Sequence, residues 1–155
     1  VSITLAPGTP VPDHSGVLVA TGERLRAKAF TFSSQKWAHV ADSGLVSVRA
    51  SFGRYGEPVT AGDDELVRIA LGDLDQVVTA AGCPAVSPRV VEALVQPWPT
   101  GLPRYAPGHL VRMSEALRLR PSRLVLTGSS YAGVGVPACV GAAGRAAADL
   151  VADLT

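Results

Sequence analysis

The chain has 155 residues, 47% of them hydrophobic and only 17% charged, with 14 basic against 13 acidic side chains and a formal net charge of +1. That length suits about one average domain with a real core. The near-neutral charge gives no argument for nucleic acid or an anionic membrane surface, since either demands a concentrated basic face and none is visible in the sequence.

No apolar run approaches the roughly 18 residues of a membrane span, and no basic segment leads into an apolar one as in a signal peptide. Cys83 and Cys139 lie far apart and build no disulfide framework, which points to a reducing, cytoplasmic compartment. The sequence opens inside the apolar run VSITLA with no initiator Met, so the expectation is a portion of a longer protein.

In chain order, residues 1–6 read as a strand, and the Pro-rich PGTPVPDH hands over to a second strand at 16–21. Alternation places a third at 27–33 and a fourth at 45–52, together a meander with one buried face. After FGRYGEP, Asp63 and Asp64 offer an N-cap. Leu66, Val67, Ala70, Leu74, Val77, Val78 and Ala81 then recur at helical spacing until Gly82 ends the run. Residues 90–98 are strand-like, and WPTGLPRYAPGH is too punctuated for regular structure. Leu110, Met113, Ala116, Leu117 and Leu119 form the stripe of a helix over 108–120, stopped by Pro121. A closing strand over 123–128 and a helix opening at Pro137 complete the order β-β-β-β-α-β-loop-α-β-α, a mixed α/β or α+β arrangement.

The closing segment RLVLTGSSYAGVGVPACVGAAGRAAADLVADL is the most informative. A helix start carries unsatisfied amide N–H groups and about half a positive charge, and Gly133 and Gly135 let backbone donors come close to an electron-rich or anionic group. GVGVPA matches the letters of a dinucleotide fingerprint, but its first Gly lies beyond the tight turn that follows the strand, and no second strand follows to offer an acid to a ribose. GSSYAG nearly spells the nucleophile elbow around Ser130. Ala132 replaces the final Gly, however, and no His follows His109, although that fold places its catalytic His after the nucleophile. Ser130 therefore reads as a turn serine, and His14, His39 and His109 as turn or capping residues. The small residues from Gly141 to Ala148 suit close helix packing. Trp98, held between prolines, is either core filler or a stacking surface.

Four ordered segments, KAFTFSSQKWAHV, VRASFGRYGE, QPWPTGLPRYAPGHL and LTGSSYAGVGVPACVGAAGRAAADL, together resemble the oxygen-dependent porphyrinogen oxidases, FAD enzymes of haem biosynthesis related to the flavin amine oxidases. The resemblance covers the C-terminal third of a family member. It implies the C-terminal part of an FAD-binding, Rossmann-like flavin amine oxidase fold, with residues 1–91 a remnant of the mixed-sheet substrate-binding domain and 92–155 the end of the FAD-binding domain. By this resemblance Trp98, Ser129, Val134, Gly135 and Val136 contact FAD, and the flavin carries the chemistry with no catalytic side chain and no metal. The implied reaction oxidises coproporphyrinogen III or protoporphyrinogen IX with O2 as acceptor. The larger part of the FAD site would lie in a missing N-terminal part, so the chain alone is expected to be inactive. Ala132, Ala138 and Arg104 stand where the family often has an acid, an Asp and a Gln. The rival readings are another amine oxidase or desaturase relative, and a truncated non-catalytic module.

Overall fold

The four expected strands form within their expected segments but do not pair in chain order. The computed structural model describes residues 1–99 and 101–154; Thr100, inside WPTGLPRYAPGH, and Thr155 lie outside the described residues. The chain divides into two compact units, Val1–Pro97 and Trp98–Thr155.

In the first unit, β1 (Ser2–Leu5), β2 (Gly16–Leu18), β3 (Ala29–Phe32), β4 (Val46–Ser51) and β5 (Val90–Leu94) form one sheet in the order β2-β3-β4-β1-β5. Every neighbouring pair is antiparallel. The expected meander holds for β2, β3 and β4, but β1 pairs with β4 and β5 instead of β2. The Pro-rich 7–12 loop carries the chain past two strands before β2 begins. Arg89, just before β5, anchors that loop through Nε to Thr9 Oγ1 at 2.9 Å and through Nη2 to the Pro7 carbonyl at 2.7 Å. A side chain at Gly16 on β2 would run into the Phe30 carbonyl of β3, so glycine is what lets β2 approach.

Period-2 alternation puts Ile3, Leu5, Phe30, Phe32, Val48 and Ala50 on the buried face of the sheet. They form a single core with the apolar stripe of α3 (Asp63–Ala80), namely Ala70, Leu74 and Val78. Gly62, not Asp63 or Asp64, occupies the N-cap of α3; both aspartates and Glu65 sit in the first turn, where their charge suits the helix dipole. At the other end Gly82 adopts φ 83°, and the Cys83 N–H reaches back to the Val78 carbonyl at 2.9 Å, so the expected glycine stop is a left-handed cap. Two single-turn helices that alternation does not reveal, α1 (Ser33–Lys36) and α2 (Ala38–Ala41), separate β3 from β4. Ser34 ties the first of them to the following strand, its Oγ accepting the Ser47 N–H at 2.8 Å.

Two aspartates on α3 dock irregular backbone. Asp73, buried on the helix, accepts the N–H groups of Arg26 and Ala27, both at 2.8 Å through Oδ2. Asp75 accepts those of Val86 and Ser87 at 2.7 and 2.9 Å. Such charge-assisted bonds are stronger than neutral ones, and losing the acceptor leaves partly buried amides unpaired. Asp73→Ala is therefore expected to cost about 2 kcal/mol, read as a lower urea midpoint; an unchanged midpoint would contradict the anchoring role.

The second unit contains α4 (His109–Arg118), α5 (Ser129–Ala132) and α6 (Val136–Leu154). The strand expected over 123–128 does not form among the described residues. Arg123 turns the chain with a left-handed φ of 64°, and residues 124–127 run without regular structure because no neighbouring strand offers them a hydrogen-bond ladder. None of the described residues of this unit is buried, and Val136, Val140, Val151 and Leu154 on α6 are all exposed. Of the small residues of α6, Ala142 and Ala146 are part-exposed and line a hollow with Leu117, Val125 and Leu126, whereas nothing approaches Gly144 within 4 Å. Among the described residues no helix is long and apolar enough to cross a membrane.

Candidate cofactor-contact loop

Two glycines with positive φ bracket α5, Gly128 ahead of it and Gly133 in the loop that joins it to α6. Gly128 has φ 117° and ψ −179°, and Gly133 has φ 131° and ψ 145°. Only glycine enters these regions readily, because a Cβ would collide with its own backbone. At Gly133 an added Cβ would also lie 2.8 Å from Ala138 Cβ on α6. The chain therefore leaves the single turn of α5, reverses at Gly133 and enters α6 at Val136, one residue before the expected Pro137.

That entry leaves the amides of Val134, Gly135 and Val136 without a protein acceptor among the described residues; the first bond of the new helix runs from Cys139 N–H to the Gly135 carbonyl at 3.0 Å. Val134 and Val136 are exposed, and a Cβ at Gly135 would meet only Pro137 Cδ at 3.8 Å. Backbone donors, apolar side chains and an open approach over Gly135 thus come together on one short segment. The arrangement fits a planar group with hydrogen-bond acceptors along one edge and an apolar face, as an isoalloxazine ring has.

Of the residues assigned to this contact, Ser129 starts α5, and its carbonyl accepts a hydrogen bond from the Tyr105 hydroxyl at 2.7 Å. Trp98 is 76% exposed, which removes the core-filler reading within this chain; it packs across a tight turn on Gly101, where a Cβ would come within 3.1 Å. Among the described residues no hydrogen bond or ring contact joins Trp98 to the loop.

Two residues that hydrogen-bond to α5 and to the loop were not assigned a role there by sequence reasoning. Tyr105 accepts the Gly133 N–H at 2.7 Å while donating to Ser129, and its ring stacks on His109 with centroids 4.3 Å apart. His109 Nε2 lies 2.6 Å from the Ser130 carbonyl, which can only accept, so the ring carries its proton there. The contact runs to the serine backbone and not to its hydroxyl, which disposes of a Ser–His nucleophile pair. The available signal was the four-residue spacing of two ring side chains, Tyr105 ahead of α4 and His109 at its start, flanked by Pro103 and Pro107.

In the first unit a cavity of 310 Å³ opens beside Arg24, Arg26, Arg54 and Glu57. Arg26 pairs with Glu65 at 3.5 Å, and Arg54 donates to the Val19 carbonyl at 3.2 Å.

No family model matches the chain. Its mixed helix and sheet fold matches part of a crystal structure from Exiguobacterium sp. 255-15, provisionally named a protoporphyrinogen oxidase, with a TM-score of 0.77 and 26% identity over 99% of this chain and 33% of that one. The sequence relatives are more particular. The chain is 45% identical over 156 residues to the coproporphyrinogen III oxidase of Mycobacterium leprae, covering 99% of itself and 33% of that protein. It is also 32% identical over 147 residues to the coproporphyrinogen III oxidase of Staphylococcus aureus, covering 92% of itself and 30% of the relative. The resemblance read from the four sequence segments is thus a homology along nearly the whole chain. The chain spans about a third of the length of the curated relatives it matches.

Proposed function

We propose that this chain is the C-terminal portion of an FAD-dependent coproporphyrinogen III oxidase of haem biosynthesis, working in the cytoplasm with dioxygen as the electron acceptor. The observation that carries the reading is the 45% identity to the M. leprae enzyme over 99% of the chain, against 26% to the provisionally named protoporphyrinogen oxidase. The free thiols of Cys83 and Cys139 suit a reducing compartment.

In this reading the first unit belongs to the substrate-binding domain and the second to the FAD-binding domain. Bound FAD would supply the six-electron oxidation of the porphyrinogen to the porphyrin in three two-electron rounds, each passing its electron pair to dioxygen to give hydrogen peroxide. Val134, Gly135 and Val136 would hold the ring through their amides, with Trp98 and Ser129 as further contacts. Negative charge grows on a flavin as it is reduced, and amides at a helix start favour that charge without having to reorganise. The protein then needs no nucleophile of its own; the His109 ring reaches the Ser130 carbonyl and not its hydroxyl.

The lack of buried residues in the second unit supports a chain that completes a larger FAD domain over a module that works by itself. The test is anaerobic titration of the full-length protein, loaded with FAD, by coproporphyrinogen III, protoporphyrinogen IX and a panel of amines. Fast bleaching of the visible flavin band by coproporphyrinogen III is expected. Bleaching by amines alone would move the protein to the amine oxidases, and a protein that stays colourless with added FAD would end the reading.

A further inference from the structure

We propose that Tyr105 is a positioning residue that sets the 134–136 amides for the cofactor, by holding open the last hydrogen bond of α5. This rests on the flavin reading above and extends it to a residue outside the contact loop.

In an uninterrupted helix the N–H of Gly133 would donate to the carbonyl four residues earlier, that of Ser129. Here the Gly133 N–H donates to Tyr105 Oη at 2.7 Å, and the same hydroxyl donates to the Ser129 carbonyl at 2.7 Å. The phenol is thus inserted into the bond that would otherwise continue the helix. A side chain placed in a helical ladder is a known cause of a sharp change in chain direction, and Gly133 makes that change, leaving α5 at φ 131° and ψ 145°.

One further contact fixes the phenol itself. Its ring stacks on His109, whose Nε2 donates to the Ser130 carbonyl, so two neighbouring α5 carbonyls are held by Tyr105 and by His109 at the start of α4. Beyond the turn, the Cys139 thiol lies 3.7 Å from the Gly133 carbonyl, on the α6 side of the same residue. Gly133 is therefore gripped at its N–H by Tyr105 and approached at its carbonyl by α6. Removing the hydroxyl frees Gly133 N–H to close directly on Ser129 or to take a water, and either change re-aims the three amides that follow. The amide and carbonyl lie near the surface, where water can replace the lost bonds, so the overall stability of the protein need not fall with them.

The test uses Tyr105→Phe in the full-length flavoprotein, which keeps the ring and its stack on His109. The expected result is a loss of about tenfold in FAD affinity and a shift of the bound flavin's visible absorption band, with the apoprotein's unfolding midpoint little changed. A second variant, Tyr105→Ala, should weaken FAD at least as much. Unchanged FAD affinity and spectrum in the Phe variant, against a wild type that binds FAD, would overturn the positioning role and leave the flavin reading standing. A loss of affinity matched by an equal loss of apoprotein stability would also overturn it, since the tyrosine would then be merely structural. A wild type that takes up no FAD would sink the flavin reading and the proposal with it.

Discussion

Replacing Gly133 with valine is expected to strip FAD from the full-length protein almost completely, whereas Gly135→Val should weaken binding in a protein that still folds normally. The contrast follows from backbone geometry. At Gly133, φ is 131° with ψ 145°, a region that costs a residue bearing a side chain about 1–3 kcal/mol. The new Cβ would also press on Ala138 Cβ at 2.8 Å, so either the turn or the start of α6 must move. Gly135 has no such constraint, since its φ is not in the left-handed range and its Cβ would meet only Pro137 Cδ at an ordinary 3.8 Å. A branched side chain there fits the protein and obstructs whatever approaches the amides. Equilibrium FAD binding and apoprotein melting, measured on both variants, separate the two effects. Full FAD occupancy in the Gly135→Val protein would show that the loop is not a cofactor contact.

The second large effect is expected in the core of the first unit. Phe30→Ala should destabilise the protein by about 3–5 kcal/mol, the range for truncating a fully buried aromatic. Phe30 is 1% exposed at the centre of β3, among Ile3, Leu5, Phe32, Val48 and Leu74. Backbone bonds on both sides pin the strand, to β2 and to β4, so the sheet cannot close over the space left behind. A shift in urea midpoint equivalent to less than 1 kcal/mol would mean that α3 does not pack on the sheet in this way.

What the sequence could and could not reveal divides by the range of the interaction. Alternation located β1 to β4, and helical spacing from Leu66 to Ala81 located α3 almost to the residue, because a buried face imposes its period on the nearby chain. Gly82 was legible as a stop because its role is local. The pairing of β1 with β4 and β5 was not, since no local signal says which strand a strand will meet. Neither was the failure of 123–128 to form a strand: its apolar run is strand-like, but a strand is a ladder and needs a neighbour.

The site divides in the same way. Composition and glycine spacing singled out residues 133–136 as a place where amides could face a ligand, and the four ordered segments led to the relatives at 45% identity. The sequence by itself therefore determined β1 to β4, α3 and the kinship, which depend on near neighbours along the chain or on the order of motifs. Only the tertiary structure showed that Tyr105 enters the last turn of α5 from 28 residues away, and that Asp73 anchors Arg26 and Ala27 from 47 and 46 residues away. Those bonds depend on positions in space that no local pattern encodes, because a hydroxyl or carboxylate is drawn to whichever unpaired amide the fold brings within reach.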